Sequence, residues 1–349
     1  MTVQLTSLTS LRALPFDDII DVRSPAEFAE DHLPGAVSCP VLNNEERASV
    51  GTIYVQQSKF RARKVGAALL ARNAARHLEE ALADRDGSWR PLVYCWRGGQ
   101  RSGSFAMILS QVGWRADTIE GGYRSYRRAV VDAMYDTPLP HRLILLDGNT
   151  GTAKTAFLAE LAGAGHQVVD LEGLAQHRGS VFGGRGGQPS QKRLESGLAM
   201  ALAGMDPARP VILEAESSQI GNLNVPPAVW TAMRAAPRLR IVAPLAARAR
   251  YLAGAYADIV ADPVRLDATL DKLIPMQGRE RVAAWKALGR EGAFEALAAA
   301  LMEHHYDPRY AKQRERVGSE TRGQISVDDL TASGRRAAVP EISSALERL

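Results

Sequence analysis

The stretch Tyr94–Ser104, YCWRGGQRSGS, sets a thiol beside positive charge and chain freedom. Cys95 ends the apolar run RPLVYC. Arg97, Gly98, Gly99, Arg101 and Ser102 follow before a helical pattern begins. A strand that turns through glycines into a helix aims backbone N–H groups inward, and the helix N-terminus adds partial positive charge. Gly98 and Gly99 allow φ > 0 without a Cβ clash. Arg97 and Arg101 add full charges, and Ser102 completes the cradle. All of this favours a thiolate, so Cys95 is expected below the free thiol value of about 8.5. The same cradle would hold an anion attached to, or attacked by, the sulfur.

A second stretch, LLDGNTGTAKTAF, carries phosphate chemistry. Gly148, Asn149, Thr150, Gly151, Thr152, Ala153, Lys154 and Thr155 have the spacing of a Walker A loop, after a strand and before a helix. Loop N–H groups would hold phosphates, Lys154 would reach the terminal ones, and Thr155 could hold Mg²⁺. Ala153 stands where Gly usually precedes the lysine, and its methyl is tolerated if φ is negative. Asp170, Glu214 and Glu216 close strand patterns and could reach a metal-bound phosphate, or be solvated strand ends. Between them AQHRGSVFGGRGGQPSQKRLES holds His177, Arg178, Arg185, Gln188, Gln191, Lys192 and Arg193. A mobile, basic, glycine-rich loop there would suit an RNA backbone or a diphosphate.

Elements must position these groups. DDIIDVRS, LPGAVSCPV, RPLVYC and ADTIE read as strands. PAEFAEDH reads as a helix capped by Ser24 with Pro25 first. KFRARKVGAALLARNAARHLEEALADR reads as one helix with apolar positions at Val65, Leu69, Ala75 and Leu78. GSFAMILSQVG reads as a helix stopped by Gly113. Strands alternating with helices predict a parallel sheet covered on both faces. The pattern restarts after DAMYDTPLPH with RLILLDG, HQVVDLEG, PVILEAESSQIG and RLRIVAPL as strands. From about Asp262 only helices are expected, a lid or bundle on the second domain, with the last residues peripheral.

The chain has 349 residues and formal net charge +4, with 46% hydrophobic and 23% charged residues. That predicts a soluble globular chain of roughly two domains. A mildly basic balance permits an anionic partner without demanding one. Two cysteines make no disulfide framework. Cys39 reads as a packed thiol more than a resolving one. The start lacks a basic stretch followed by an apolar one, and no run approaches roughly 18 apolar residues, so neither secretion signal nor membrane span is expected. The expected compartment is the cytoplasm.

Two enzyme classes use a cysteine in such a cradle, sulfurtransferases of the rhodanese type and cysteine phosphatases. Five residues separate Cys95 from Arg101, the phosphatase count, and Tyr94 stands where a phosphatase would have His. Upstream, DVRSPAEFAEDHLPGAVSCP matches the signature of rhodanese domains. Asp21 and Arg23 are expected to pair and brace the active loop, and His32 to serve the turn more than to act as a base. The fold expected is α/β: a rhodanese-like domain with a parallel sheet over 1–130, a connector over 131–140 and a doubly wound P-loop domain over 141–261. A helical extension over 262–330 and a peripheral tail over 331–349 follow.

With both sites in place, the chain resembles the tRNA 2-selenouridine synthase family. The likeness rests on DVRSPAEF, DHLPGAVSCPVLNNEERASVGTIYVQQS, YCWRGGQRS, DLEGLAQHRGSVFGG, QPSQKRLES, EAESSQIGNLNVP and HYDPRY. It implies replacement of sulfur by selenium in wobble 2-thiouridine of tRNA, through an S-geranylated uridine, with geranyl diphosphate and selenophosphate as substrates. It implies Cys95 as the catalytic cysteine and Gly148–Thr155 as the phosphate loop, holding geranyl diphosphate or an NTP. Trp96, Tyr123 and the apolar helical region would cover the prenyl chain or stack bases. No tightly bound cofactor is expected, with Mg²⁺ an option at the loop. A selenophosphate-supplying enzyme is an expected partner. The alternatives are a persulfide sulfurtransferase coupled to an NTP-binding domain, and a non-catalytic RNA-binding protein.

Overall fold

The computed structural model describes residues 2–184, 186–317 and 321–349. It divides into two compact units, Met1–Thr137 with Pro189–Gly204, and Pro138–Gln188 with Met205–Leu349.

The first unit holds five strands: β1 (Thr2–Val3), β2 (Asp18–Asp21), β3 (Val37–Ser38), β4 (Pro91–Tyr94) and β5 (Asp117–Ile119). Their order is β1-β5-β4-β2-β3, with every neighbour parallel. Central β4 is buried along its whole length, as a strand covered on both faces must be. It stops at Cys95. The helix Gln100–Val112 departs just beyond and ends at Gly113, φ 114. Phe105 and Leu109 are completely buried beneath it, each stabilising by about 1.5–3 kcal/mol.

Between β3 and β4 lies a helical hairpin, Asn44–Gln56 and Lys59–Glu79. The sequence reading has only its second arm. The first arm buries no residue, so it carries no apolar stripe to read. Its one local signal is the reciprocal cap between Asn43 and Glu46. On the second arm the buried positions are Ala62, Leu70, Asn73 and Ala74 rather than Val65, Leu69, Ala75 and Leu78. Asn73 turns the face inward by donating to the Val41 carbonyl and the Glu46 carboxylate.

The second unit has β6 (Leu143–Gly148), β7 (Gln167–Val169), β8 (Val211–Glu214), a hairpin of β9 (Gln219–Ile220) and β10 (Leu223–Asn224), then β11 (Arg238–Val242) and β12 (Thr321–Ser326). Its main sheet is parallel, in the order β12-β11-β6-β8-β7.

Three boundaries differ from expectation. The region 262–330 is not helical throughout, because β12 adds an edge strand. TRGQIS buries only Ile325 among its strand residues, so it shows no apolar alternation. The tail 331–349 is not peripheral: helix Ala332–Glu347 sets Ile342 and Leu346 into the core with Phe157 and Ile241. The segment Pro189–Gly204 leaves its sequence neighbours and belongs to the first unit, where helix Gln191–Ala203 buries Leu194, Leu198 and Leu202. Among the described residues no helix is long and apolar enough to cross a membrane.

Candidate functional site

In the first unit Cys95 is buried, and the Ser102 hydroxyl donates to its Sγ at 3.2 Å. Burial pushes the thiol up. The Ser102 hydroxyl and N–H, the Arg101 charge and the Gly99 N–H outweigh it and hold the pKa below its ordinary value. The cradle is narrower in its use of glycine than expected. Gly98 has φ +64, and an added Cβ would meet the Ile119 carbonyl at 2.5 Å, whereas Gly99 has φ −106 and needs no such freedom. Gly122, φ +57, packs against the Cys95 carbonyl. The sequence marks Gly121–Gly122 as a glycine turn between a strand and a basic helix, and the structure sets this turn against the thiol loop. It anchors the loop: Tyr123 N–H donates to Cys95 O at 2.9 Å and Arg124 N–H to Trp96 O at 3.0 Å.

Arg101 does not bring an unpaired charge. Its Nη1 donates to Glu27 Oε2 at 2.8 Å. Arg97 is exposed and lines a cavity of about 550 Å³ with Glu120, Arg124 and Arg128. Asp21 and Arg23 pair as anticipated. Arg23 Nη2 stands 2.7 Å from Asp21 Oδ2, which also accepts the Tyr94 hydroxyl at 2.6 Å. The His32 ring stacks on Phe28 at 3.8 Å and its Nδ1 lies 2.8 Å from the Phe28 carbonyl, a turn role. Cys39 is fully buried, its thiol pushed up to about 11 by burial. The Trp96 and Tyr123 rings lie tilted at 34° with centroids 5.2 Å apart, but Tyr123 is 2% exposed and donates to Asp31, so of the two Trp96 offers a face.

In the second unit the loop Gly148–Thr155 wraps the end of β6. Lys154 Nζ donates to the Gly148 carbonyl at 2.9 Å. Burial pushes its amine down, and Tyr310, Glu216, Glu172 and Asp147 more than restore it. Arg248 Nε ties the Thr150 carbonyl at 3.0 Å, and its other nitrogens form a two-bond pair with Asp307. Ala153 has φ +58 and ψ 30 and is buried. The condition of negative φ fails: this position takes the left-handed conformation for which glycine is usual, and an alanine holds it at about 1–2 kcal/mol of local strain.

A cavity of about 370 Å³ opens over the loop, lined by Thr150–Thr155, Glu172, Arg178, Glu216, His305, Arg309 and Tyr310 among others. Of the three acids singled out, Glu216 lines it. Burial, then the Glu172 charge, pushes its pKa up to about 7. Glu214 lies beneath, fully buried, raised by burial, its carboxylate accepting the Glu172 N–H at 2.8 Å. Asp170 caps the helix Leu171–Ala175 through Gly173 N–H. The acid against the loop is Glu172, which sequence reasoning missed; it accepts the Thr155 hydroxyl at 2.9 Å. HHYDPRY, read only as a family likeness, supplies His305, Tyr306, Arg309 and Tyr310.

The basic segment is mostly redistributed. Arg178 lines the cavity, pairing with Asp258 at 2.8 Å over the Tyr256 ring. His177 Nδ1 accepts the Gly179 N–H. Gln188 ties the Ala175 and Ile220 carbonyls and the Asn222 N–H. Arg185 lies outside the described residues. Gln191, Lys192 and Arg193 are not loop residues beside the phosphate site. Ser190 caps a helix there, and they fall in its first turn within the first unit. They bond Glu195, Glu30 and the His32 carbonyl respectively. Among the described residues no group of three or more His, Cys, Asp or Glu has the arrangement of a metal cluster.

A second, apolar cavity shares Thr150, Ser180, Leu252, Tyr256 and Tyr306 with the first. Phe182, Ile259, Leu266, Phe294, Leu297 and Met302 line the rest with other apolar residues.

Comparison with known proteins gives two family matches. Residues 6–129 match the Rhodanese-like domain, and residues 141–268 match the tRNA 2-selenouridine synthase AAA domain. The chain is 36% identical over 235 residues to the tRNA 2-selenouridine synthase of Nitrosomonas europaea, covering 66% of this chain and 61% of that one. To that of Shewanella loihica it is 34% identical over 287 residues, covering 81% and 71%. To that of Cupriavidus pinatubonensis it is 32% identical over 333 residues, covering 85% and 89%.

Proposed function

The chain belongs to the tRNA 2-selenouridine synthase family, and from that premise we propose that it replaces the sulfur of 2-thiouridine in tRNA with selenium, through an S-geranylated uridine. The observation that carries the geranyl half is the pair of joined cavities. One is built from a phosphate loop and its lysine, the other from apolar side chains beside it, and the two share Thr150, Ser180, Leu252, Tyr256 and Tyr306. A diphosphate with a hydrocarbon tail uses both, whereas the base and ribose of an NTP would leave polar groups against Phe182, Leu266 and Leu297.

In the first half-reaction the diphosphate sits on the Gly148–Thr155 loop with Lys154 at its oxygens. The uridine sulfur attacks the first carbon of the prenyl chain. An S–C bond forms as the C–O bond breaks, the electron pair leaves on diphosphate, held by the loop N–H groups, and the uridine N3 proton passes to water. Thr155, Glu172 and Glu216 offer hard oxygens that suit Mg²⁺, which when bound neutralises the leaving diphosphate. In the second half-reaction selenium from selenophosphate forms the C2–Se bond. The C2–S bond breaks, geranylthiol leaves with a proton, and water takes the phosphoryl group as phosphate. Cys95 and its cradle position that selenium donor.

Calorimetry with geranyl diphosphate and ATP tests the substrate assignment. Geranyl diphosphate is expected to bind more tightly than ATP, and Lys154→Ala to weaken it at least tenfold. Tighter ATP binding with no competition from geranyl diphosphate would contradict it.

A further inference from the structure

The hairpin of helices Asn44–Gln56 and Lys59–Glu79 has no part in either site. Residues 47–77 hold seven Lys and Arg and no Asp or Glu. That is +7 against a chain total of +4, which leaves −3 for all other residues. The net positive charge of this protein therefore resides in one element. At the bend between the arms, Phe60 is 76% exposed, Val55 82% and Tyr54 46%. Lys59, Arg61, Arg63 and Lys64 are nearby in sequence and all exposed, and Lys59 Nζ lies 5.8 Å from the Tyr54 ring. Among the described residues none of these four cations has a carboxylate partner.

The base of the hairpin is tied to the thiol loop. Glu27 Oε2 lies 2.8 Å from Arg101 Nη1 and 3.9 Å from Arg47 Nε, in the first turn of the first arm. From Arg47 to Gln56 the helix then carries the bend about 14 Å from that anchor.

We propose that this bend is an RNA-stem clamp: Lys59, Arg61, Arg63 and Lys64 hold phosphates of a double-stranded stem while Tyr54, Val55 and Phe60 lie against its riboses. The proposal rests on the tRNA reading above. The bend lies on the unit that carries Cys95, where the stem supporting a nucleotide presented to the thiol would meet it. Four cations without carboxylate partners in the first two turns of one helix favour a polyanion. Exposed apolar side chains distinguish the bend from a merely solvated basic helix.

The test is tRNA binding at several salt concentrations by the whole chain, its Arg63→Glu/Lys64→Glu variant and its Phe60→Ala variant. All three positions are exposed, so unfolding midpoints should match and serve as the folding control. The double variant is expected to weaken tRNA binding at least tenfold and to lower the salt slope by about two. It should raise KM for tRNA with kcat held within about twofold, and Phe60→Ala should weaken binding severalfold. Unchanged affinity and slope, in a protein that binds and modifies tRNA, overturn the clamp and leave the activity standing. So does self-association of the wild type, or binding to anionic phospholipid vesicles, that the double variant abolishes while tRNA binding persists. A wild type that binds no tRNA sinks the proposed activity, and the clamp with it.

Discussion

At the scale of single residues, Ser102 and Ala153 carry the strongest consequences. Ser102 is the group whose bonds most favour the Cys95 thiolate. Ser102→Ala is therefore expected to raise the pH at which Cys95 alkylation is half-maximal, read from rates across pH; an unmoved midpoint would assign the effect elsewhere. Ala153 occupies a left-handed position. Ala153→Gly should change stability by less than about 1 kcal/mol, because relieved strain offsets the entropy gained by the unfolded chain. Ala153→Val should cost more than about 2 kcal/mol in urea unfolding and weaken diphosphate binding, since a β-branched residue resists φ > 0. Glu216 sets a pH dependence. Its folded pKa is raised to about 7, so the folded state holds a proton the unfolded state has lost. Stability should fall as pH rises from the ordinary glutamate range through about 7. Glu216→Gln should flatten that fall in unfolding midpoints compared at about pH 5 and about pH 8. The thiol cradle was readable because its chemistry is local in sequence. The sign of φ at Ala153 was not, since composition says nothing about which conformation a loop imposes.

At the scale of elements, the helix Gln191–Ala203 is the least expected part. It lies between β7 and β8 in sequence, yet it inserts a polar network into the first unit. Ser196 Oγ and the Tyr123 hydroxyl both donate to Asp31 Oδ2, at 2.7 and 2.8 Å. Asp31 is 1% exposed and burial raises its pKa despite those donors. Ser196→Ala removes one donor from a buried carboxyl and should cost about 1–3 kcal/mol by urea unfolding; no loss would show that the network tolerates the gap. Strands such as β4 and β6 were legible as continuous apolar runs. The first arm of the hairpin and β12 were not, because neither buries enough side chains to leave a period in the sequence. The fate of Gln191, Lys192 and Arg193 was illegible for another reason. The cap at Ser190 is visible locally, but the unit that receives the helix is chosen by Leu194, Leu198 and Leu202 burying against distant residues.

At the scale of the whole molecule, the chain pairs two chemistries on two parallel sheets. A thiol cradle ends β4, and a phosphate loop with an adjoining apolar cavity ends β6. Both places were legible, since each is a strand followed by a glycine-bearing turn. The joined cavities were not, because their walls come from residues as far apart in sequence as Thr150, Phe182 and Leu297. The proposed division of labour, prenylation at the phosphate loop and selenium delivery at Cys95, gives the two sites separable defects. Mass spectrometry of nucleosides from 2-thiouridine tRNA, incubated with geranyl diphosphate, selenophosphate and the Cys95→Ser protein, tests it most directly. Geranylated 2-thiouridine should accumulate with no 2-selenouridine. Loss of both products, or undiminished 2-selenouridine, would contradict the account.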